Sequence, residues 1–167
     1  FREHRSVSLR AVIQILLCCV NEGKEGAPHL LLEAHLDQIG FIVTRVEEGF
    51  LRFSKVGGID ARWLPATPVV IHAEKGDYHG IVTSVPPHLA GDGTDHSIKI
   101  ENLLIDPGFT AETAAKLFAP GDIVTFAAKP AQLQNGRLAG PALDDRIGCV
   151  AVLAAAEEIA AEKPDCR

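Results

Sequence analysis

The first stretch with a readable pattern is apolar, Ala11 to Val20 broken only by Gln14, and its length does not separate helix from strand. Asn21 to Pro28 carries glycines and charges and predicts a turn. Leu30 to Ala34 then predicts a strand whose apolar run suits a sheet covered on both faces. From Phe41 to Gln134 the pattern changes to short β-rich runs with a turn signal about every eight to twelve residues. The turns are Glu47-Glu48-Gly49, Gly57-Gly58, Glu74-Lys75-Gly76-Asp77, Gly91-Asp92-Gly93 and Pro120-Gly121-Asp122. Between them Phe50–Phe53, Val69–His72, His79–Val82 and Ile123–Phe126 predict strands, and Ala111–Phe118 a short helix with Thr110 as N-cap. Asn135-Gly136 makes a tight turn. Arg146 to Glu162 is the clearest helix, with Ile147, Val150, Leu153, Ala154 and Ala161 on one side. Glu157, Glu158, Glu162 and Lys163 are among its polar positions, and Pro164 stops it. The expected organisation is an α/β unit, residues 1–40 with 135–167, interrupted over residues 41–134 by a compact β insertion, a barrel or a sandwich.

Composition supports a packed protein and narrows its partners. Of 167 residues 47% are hydrophobic, enough for a substantial core, although only 5% are aromatic. A net charge of −6, spread along the chain, argues against a nucleic-acid or anionic-membrane partner. Cys18, Cys19, Cys149 and Cys166 lack Cys-x-x-Cys spacing and suit buried or free thiols in a reducing cytoplasm. Ala11–Val20 is too short to span a bilayer and lacks the flanks of a signal peptide, so a cytoplasmic protein is expected. The chain begins at Phe1 and contains no methionine, which reads as part of a longer polypeptide.

Two acidic motifs carry candidate chemistry. His35 and Asp37 lie two apart at a strand end and so point to one side. A carboxylate so placed can hold an imidazole in the tautomer that ligates a metal. Taken alone, the pair also reads as a strand-end turn with Asp37 capping the bend at Gly40. Asp144 and Asp145 open the last helix, where paired carboxylates commonly serve as caps. They could instead bridge divalent ions, which together activate a water and polarise a carbonyl.

In combination and in this order, the motifs resemble those of the glutamyl and tetrahedral aminopeptidases, a family of two-metal exopeptidases. The resemblance rests on Ala34-His35-Leu36-Asp37-Gln38-Ile39-Gly40-Phe41 and on Leu143-Asp144-Asp145-Arg146. Inside the insertion, Val56-Gly57-Gly58, Gly80-Ile81-Val82, Pro86-Pro87-His88 and Pro120-Gly121-Asp122 are also similar to the family's pattern. It covers most of the chain, from about Gly26 to Lys163.

The resemblance implies a two-metal aminopeptidase sheet-and-helix core, present in part, with an inserted β-barrel. It makes His35 a terminal metal ligand and Asp144 a bridging one. Asp37 becomes the carboxylate that steers the histidine in catalysis, and Asp144–Asp145 a candidate cis peptide. It further implies zinc or cobalt as the paired divalent ions, a peptide substrate, and homo-oligomers, often dodecamers, built through the insertion. Phe1 to Val20 lacks the Gly-Asn turn of the family. The family's general base and remaining ligands fall beyond Arg167. With one or two ligands per metal, against about four typical of zinc, residues 1–167 are expected to bind metal poorly and to be inactive.

Other readings compete. The insertion could bind a partner by edge-strand addition, as a non-catalytic assembly or peptide-binding module. A two-metal amidohydrolase acting on small acylated amino acids would share the motifs. Glycoside chemistry wants a carboxylate pair across a sugar cleft, which no motif suggests. Among the other histidines, His88 and His96 fall in loops, His72 and His79 flank a hairpin turn at the surface, and His4 and His29 carry no signal. Arg146 is placed to anchor the acidic pair or the helix.

Overall fold

The computed structural model describes residues 8–12, 15–19, 25–28, 30–84 and 98–162, the first two segments as backbone alone. His4, His29, Pro86-Pro87-His88, Gly91-Asp92-Gly93, His96, Lys163, Pro164 and Cys166 lie outside the described residues, as do the side chains of Cys18 and Cys19. The chain divides into two compact units, Phe1–Gln38 with Ala139–Arg167 and Ile39–Leu138.

The first unit holds strands β1 (Ser8–Val12), β2 (Ile15–Cys19) and β3 (Glu33–His35) in a three-stranded antiparallel sheet. The described residues of the ambiguous apolar run, 11–12 and 15–19, are therefore strand. The expected strand at Leu30–Ala34 is shorter and displaced: Leu30 and Leu31 precede β3 and are exposed. Antiparallel pairing needs no cover on both faces, so the apolar run does not imply one.

In the second unit β4 (Gly40–Glu47), β5 (Phe50–Val56), β6 (Pro68–Ala73), β7 (Gly76–Ser84), β8 (Leu103–Asp106) and β9 (Ile123–Phe126) form a closed barrel. Its order is β4-β5-β8-β7-β6-β9, every pairing antiparallel. Period-two alternation drives it: Phe41 and Val43 on β4, and Val69 and Ile71 on β6, point inward and are fully buried. Burying each such side chain contributes about 1.5–3 kcal/mol. Phe41 meets Phe53 and Phe126 edge-on, with ring centroids 4.9 and 5.2 Å away. The β4–β5 turn has Glu48 and Gly49 at φ 51° and 95°. A side chain at Gly49 would strike the Phe109 carbonyl, so only glycine fits there.

The helix α1 (Ala111–Leu117) is capped by Thr110, whose hydroxyl accepts from the Thr113 amide, and it buries Ala114 in the barrel core. Strand β8 is not among the strands predicted above, although Pro107-Gly108 marks its end; it is held by Leu103 and Ile105, both buried. His72, expected at the surface, is half-buried: its Nδ1 meets Asp77 Oδ1 at 2.8 Å and its Nε2 meets Thr125 Oγ1 at 2.9 Å, tying β6, β7 and β9. Closure gives each of the six strands a neighbour on both sides, which disfavours strand addition to the ring. After β9, the short pair β10 (Ala131–Gln132) and β11 (Leu138–Ala139) flanks the Asn135-Gly136 turn, both of whose residues have positive φ.

The chain then returns to the first unit with helix α2 (Leu143–Glu162), which is non-helical at Asp144 and Asp145. Its regular part thus begins at Arg146. Cys149, Val152 and Ala156 form its buried side, and Cys149 and Val152 pack with Ala34. The side that carries Ile147, Val150, Leu153, Ala154 and Ala161 is a different one, and those residues are exposed. Helix α2 is apolar on two sides, and periodicity alone does not choose between them. No helix among the described residues is long and apolar enough to cross a membrane.

Candidate metal centre

His35 ends β3, where backbone pairing with Ile15 fixes its position. Asp37 lies just beyond, and its Oδ1 sits 3.1 Å from His35 Nδ1. On the opposite side of the ring, Asp144 Oδ1 lies 3.3 Å from His35 Nε2. The structure therefore brings together His35, Asp37 and Asp144, across a separation of more than a hundred positions. All lie within the first unit.

The two aspartates of the acidic pair do different things. Asp145 Oδ1 accepts the amide of Gly148 at 3.1 Å, the bond of an N-cap onto the first turn of the helix. Asp144 has no backbone donor among the described residues, and its side chain is 98% exposed. The peptide bond between the two is cis. Of the two cap readings, the structure assigns the cap to Asp145 and leaves Asp144 free to face His35.

A neutral imidazole has one N–H and one lone pair. With a carboxylate at each nitrogen, only one contact can be an ordinary hydrogen bond. If Nδ1 carries the proton it donates to Asp37, and the Nε2 lone pair then faces the Asp144 carboxylate. That second contact is balanced only by a proton or a cation. Two donor atoms bound to one ion at about 2.0–2.1 Å, at a roughly tetrahedral angle, lie about 3.3–3.4 Å apart. The observed 3.3 Å matches. His35 and Asp144 thus fit part of a divalent ion's shell. Among the described residues no group of three or more His, Cys, Asp or Glu side chains is placed to hold a metal.

Other contacts surround the pair. Arg146 Nε donates to the Leu36 carbonyl at 3.3 Å, and the buried Cys149 thiol to the His35 carbonyl at 3.4 Å. Cys149 carried no sequence signal beyond that of a free thiol; its role shows only in the fold.

A family model described as M42 glutamyl aminopeptidase matches residues 16–167. A lysyl aminopeptidase of Pyrococcus furiosus is 33% identical over 147 residues, which cover 85% of this chain and 42% of that protein. Among solved structures, the TET1 peptidase of Pyrococcus horikoshii, which assembles into a tetrahedron or an octahedral shell, superposes with a TM-score of 0.75 at 33% identity. The match covers 93% of this chain and 47% of that one. A Thermotoga maritima protein named an endoglucanase superposes with a TM-score of 0.67 at 30% identity, covering 90% and 44%. The chain therefore spans less than half the length of the relatives it matches.

Proposed function

The chain belongs to the M42 glutamyl aminopeptidase family, and from that premise we propose that it forms part of a metal-dependent aminopeptidase removing N-terminal residues from peptides. The observation that carries this reading is the His35 ring held between Asp37 at Nδ1 and Asp144 at Nε2. A pair of divalent ions, for which His and Asp donors suit zinc, cobalt and manganese alike, would supply water activation and carbonyl polarisation when bound. Asp37 keeps the proton on Nδ1 and so directs the Nε2 lone pair outward. Asp144, with one oxygen beside His35 and the other open, is placed to bridge. Asp145 holds the helix start, which fixes the backbone from which Asp144 projects.

Homo-oligomers assembled through the barrel unit, tetrahedral dodecamers among them, and a cytoplasmic setting belong to the same proposal. The shell-forming relative supports the first. A glycosidase reading, suggested by the endoglucanase name, fits less well. Its carboxylate pair must flank a bond in an open cleft, whereas Asp37 and Asp144 both engage one imidazole. The small-amide hydrolase reading has no observation of its own in its favour.

The test compares metal content and hydrolysis of aminoacyl anilides in the wild-type protein and in His35→Ala and Asp144→Asn. Loss of bound zinc or cobalt together with at least a hundredfold loss of turnover is expected in both variants. Unchanged metal content in both would overturn the ligand assignment. The described residues bring together too few donors, so the 167 residues by themselves are expected to show weak metal binding and no turnover; metal-dependent hydrolysis by them would refute that part.

A further inference from the structure

The contact between His35 and Asp144 joins a strand end to a helix start, and neither side chain is locked by packing. His35 is 45% exposed and Asp144 98%. Something must set their separation. Two side chains of α2 hydrogen-bond the backbone of β3 and its continuation: Arg146, through its Nε on the Leu36 carbonyl, and Cys149, through its thiol on the His35 carbonyl. They stand three apart on the helix and so share a face. The carbonyls they hold belong to consecutive residues, one of them the candidate ligand itself.

We propose that Arg146 and Cys149 are positioning residues, a two-point clip on the carbonyls of Leu36 and His35 that sets His35 Nε2 opposite Asp144. The clip stands on geometry alone; its metal readout rests on the ligand reading given above. Cys149 is buried at 5% exposure, so its bond is shielded from water, whereas the exposed Arg146 adds direction through its planar guanidinium. An electrostatic role for Arg146 predicts the opposite metal effect: removing a cation beside a cation site should tighten binding. A positioning role predicts that binding weakens.

The experiment follows the His35 ring-nitrogen NMR signals of the metal-free protein, and separately titrates Zn2+ by calorimetry. Arg146→Met keeps the aliphatic stem and removes the donor; Arg146→Lys keeps a donor. Arg146→Met is expected to move the His35 signals and weaken Zn2+ binding by about tenfold, the usual scale for a group that orients a ligand. Arg146→Lys is expected to recover most of both. Cys149→Ala against Cys149→Ser repeats the comparison at the second point, should Arg146→Met not fold. Unmoved His35 signals in the folded donor-less variants, or tighter Zn2+ binding in Arg146→Met, would overturn the clip. If the signals move while His35→Ala leaves Zn2+ binding intact, the clip stands and the metal-ligand reading falls.

Discussion

At the scale of single residues, Gly148 shows how little freedom the helix start has. A side chain there would fall on the Asp145 carboxylate, which is the cap of α2. Replacing it with alanine gains about 0.5–1 kcal/mol of helix propensity and loses a cap worth about 1 kcal/mol. The two nearly cancel. Gly148→Ala is therefore expected to leave the thermal midpoint nearly unchanged while weakening Zn2+ binding several-fold, because the displaced carboxylate releases the backbone carrying Asp144. Calorimetric titration beside a melting curve checks this; unchanged affinity sinks it. The motif residues His35, Asp37 and Asp144 were legible from spacing and resemblance. Which of Asp144 and Asp145 caps the helix was not, since either carboxylate can cap and only the bond from the Gly148 amide decides.

At the scale of elements, the clearest electrostatic device is the short turn Ala61–Trp63, capped by Asp60. Hydrogen bonds from the Arg62 side chain and amide hold the Asp60 carboxyl down to about 2, against an ordinary 3.8. A depressed carboxyl stabilises the fold above its unfolded value, and that contribution is lost as pH falls through the folded value. The pair is exposed, so the effect is small. A stability loss between pH about 4 and about 2 is expected in the wild type and should be reduced in Asp60→Asn, as followed by urea midpoints; equal slopes in both would rule it out. Strands with strong alternation or flanking turns, such as β6 and β9, were legible. β8 was not, because its burial comes from partners distant in sequence. The two apolar sides of α2 were likewise beyond periodicity, since what packs against a helix is decided by tertiary structure.

At the scale of the whole molecule, the interruption of an α/β unit by a β-rich segment was visible in the change of period near Phe41 and its return near Asn135. Closure of the segment into a ring was expected from the resemblance; the pattern alone suits a barrel and a sandwich alike, because closure depends on β4 pairing with β9, some eighty residues apart. That closed ring bears on the order of events as the chain folds. Arg146 and Leu36 are separated by 110 positions. Joining the ends of a flexible loop of that length costs about 4 kcal/mol in chain entropy before any constant term. A ring that has already folded replaces the loop with two short connectors. The candidate centre should then be a late product of folding, whose appearance waits on a distant hydrophobic core. Ile105→Ala, a core truncation expected to cost about 2–5 kcal/mol, should delay the arrival of native His35 signals in a refolding experiment. Arrival at the wild-type rate would show that the centre assembles without the ring.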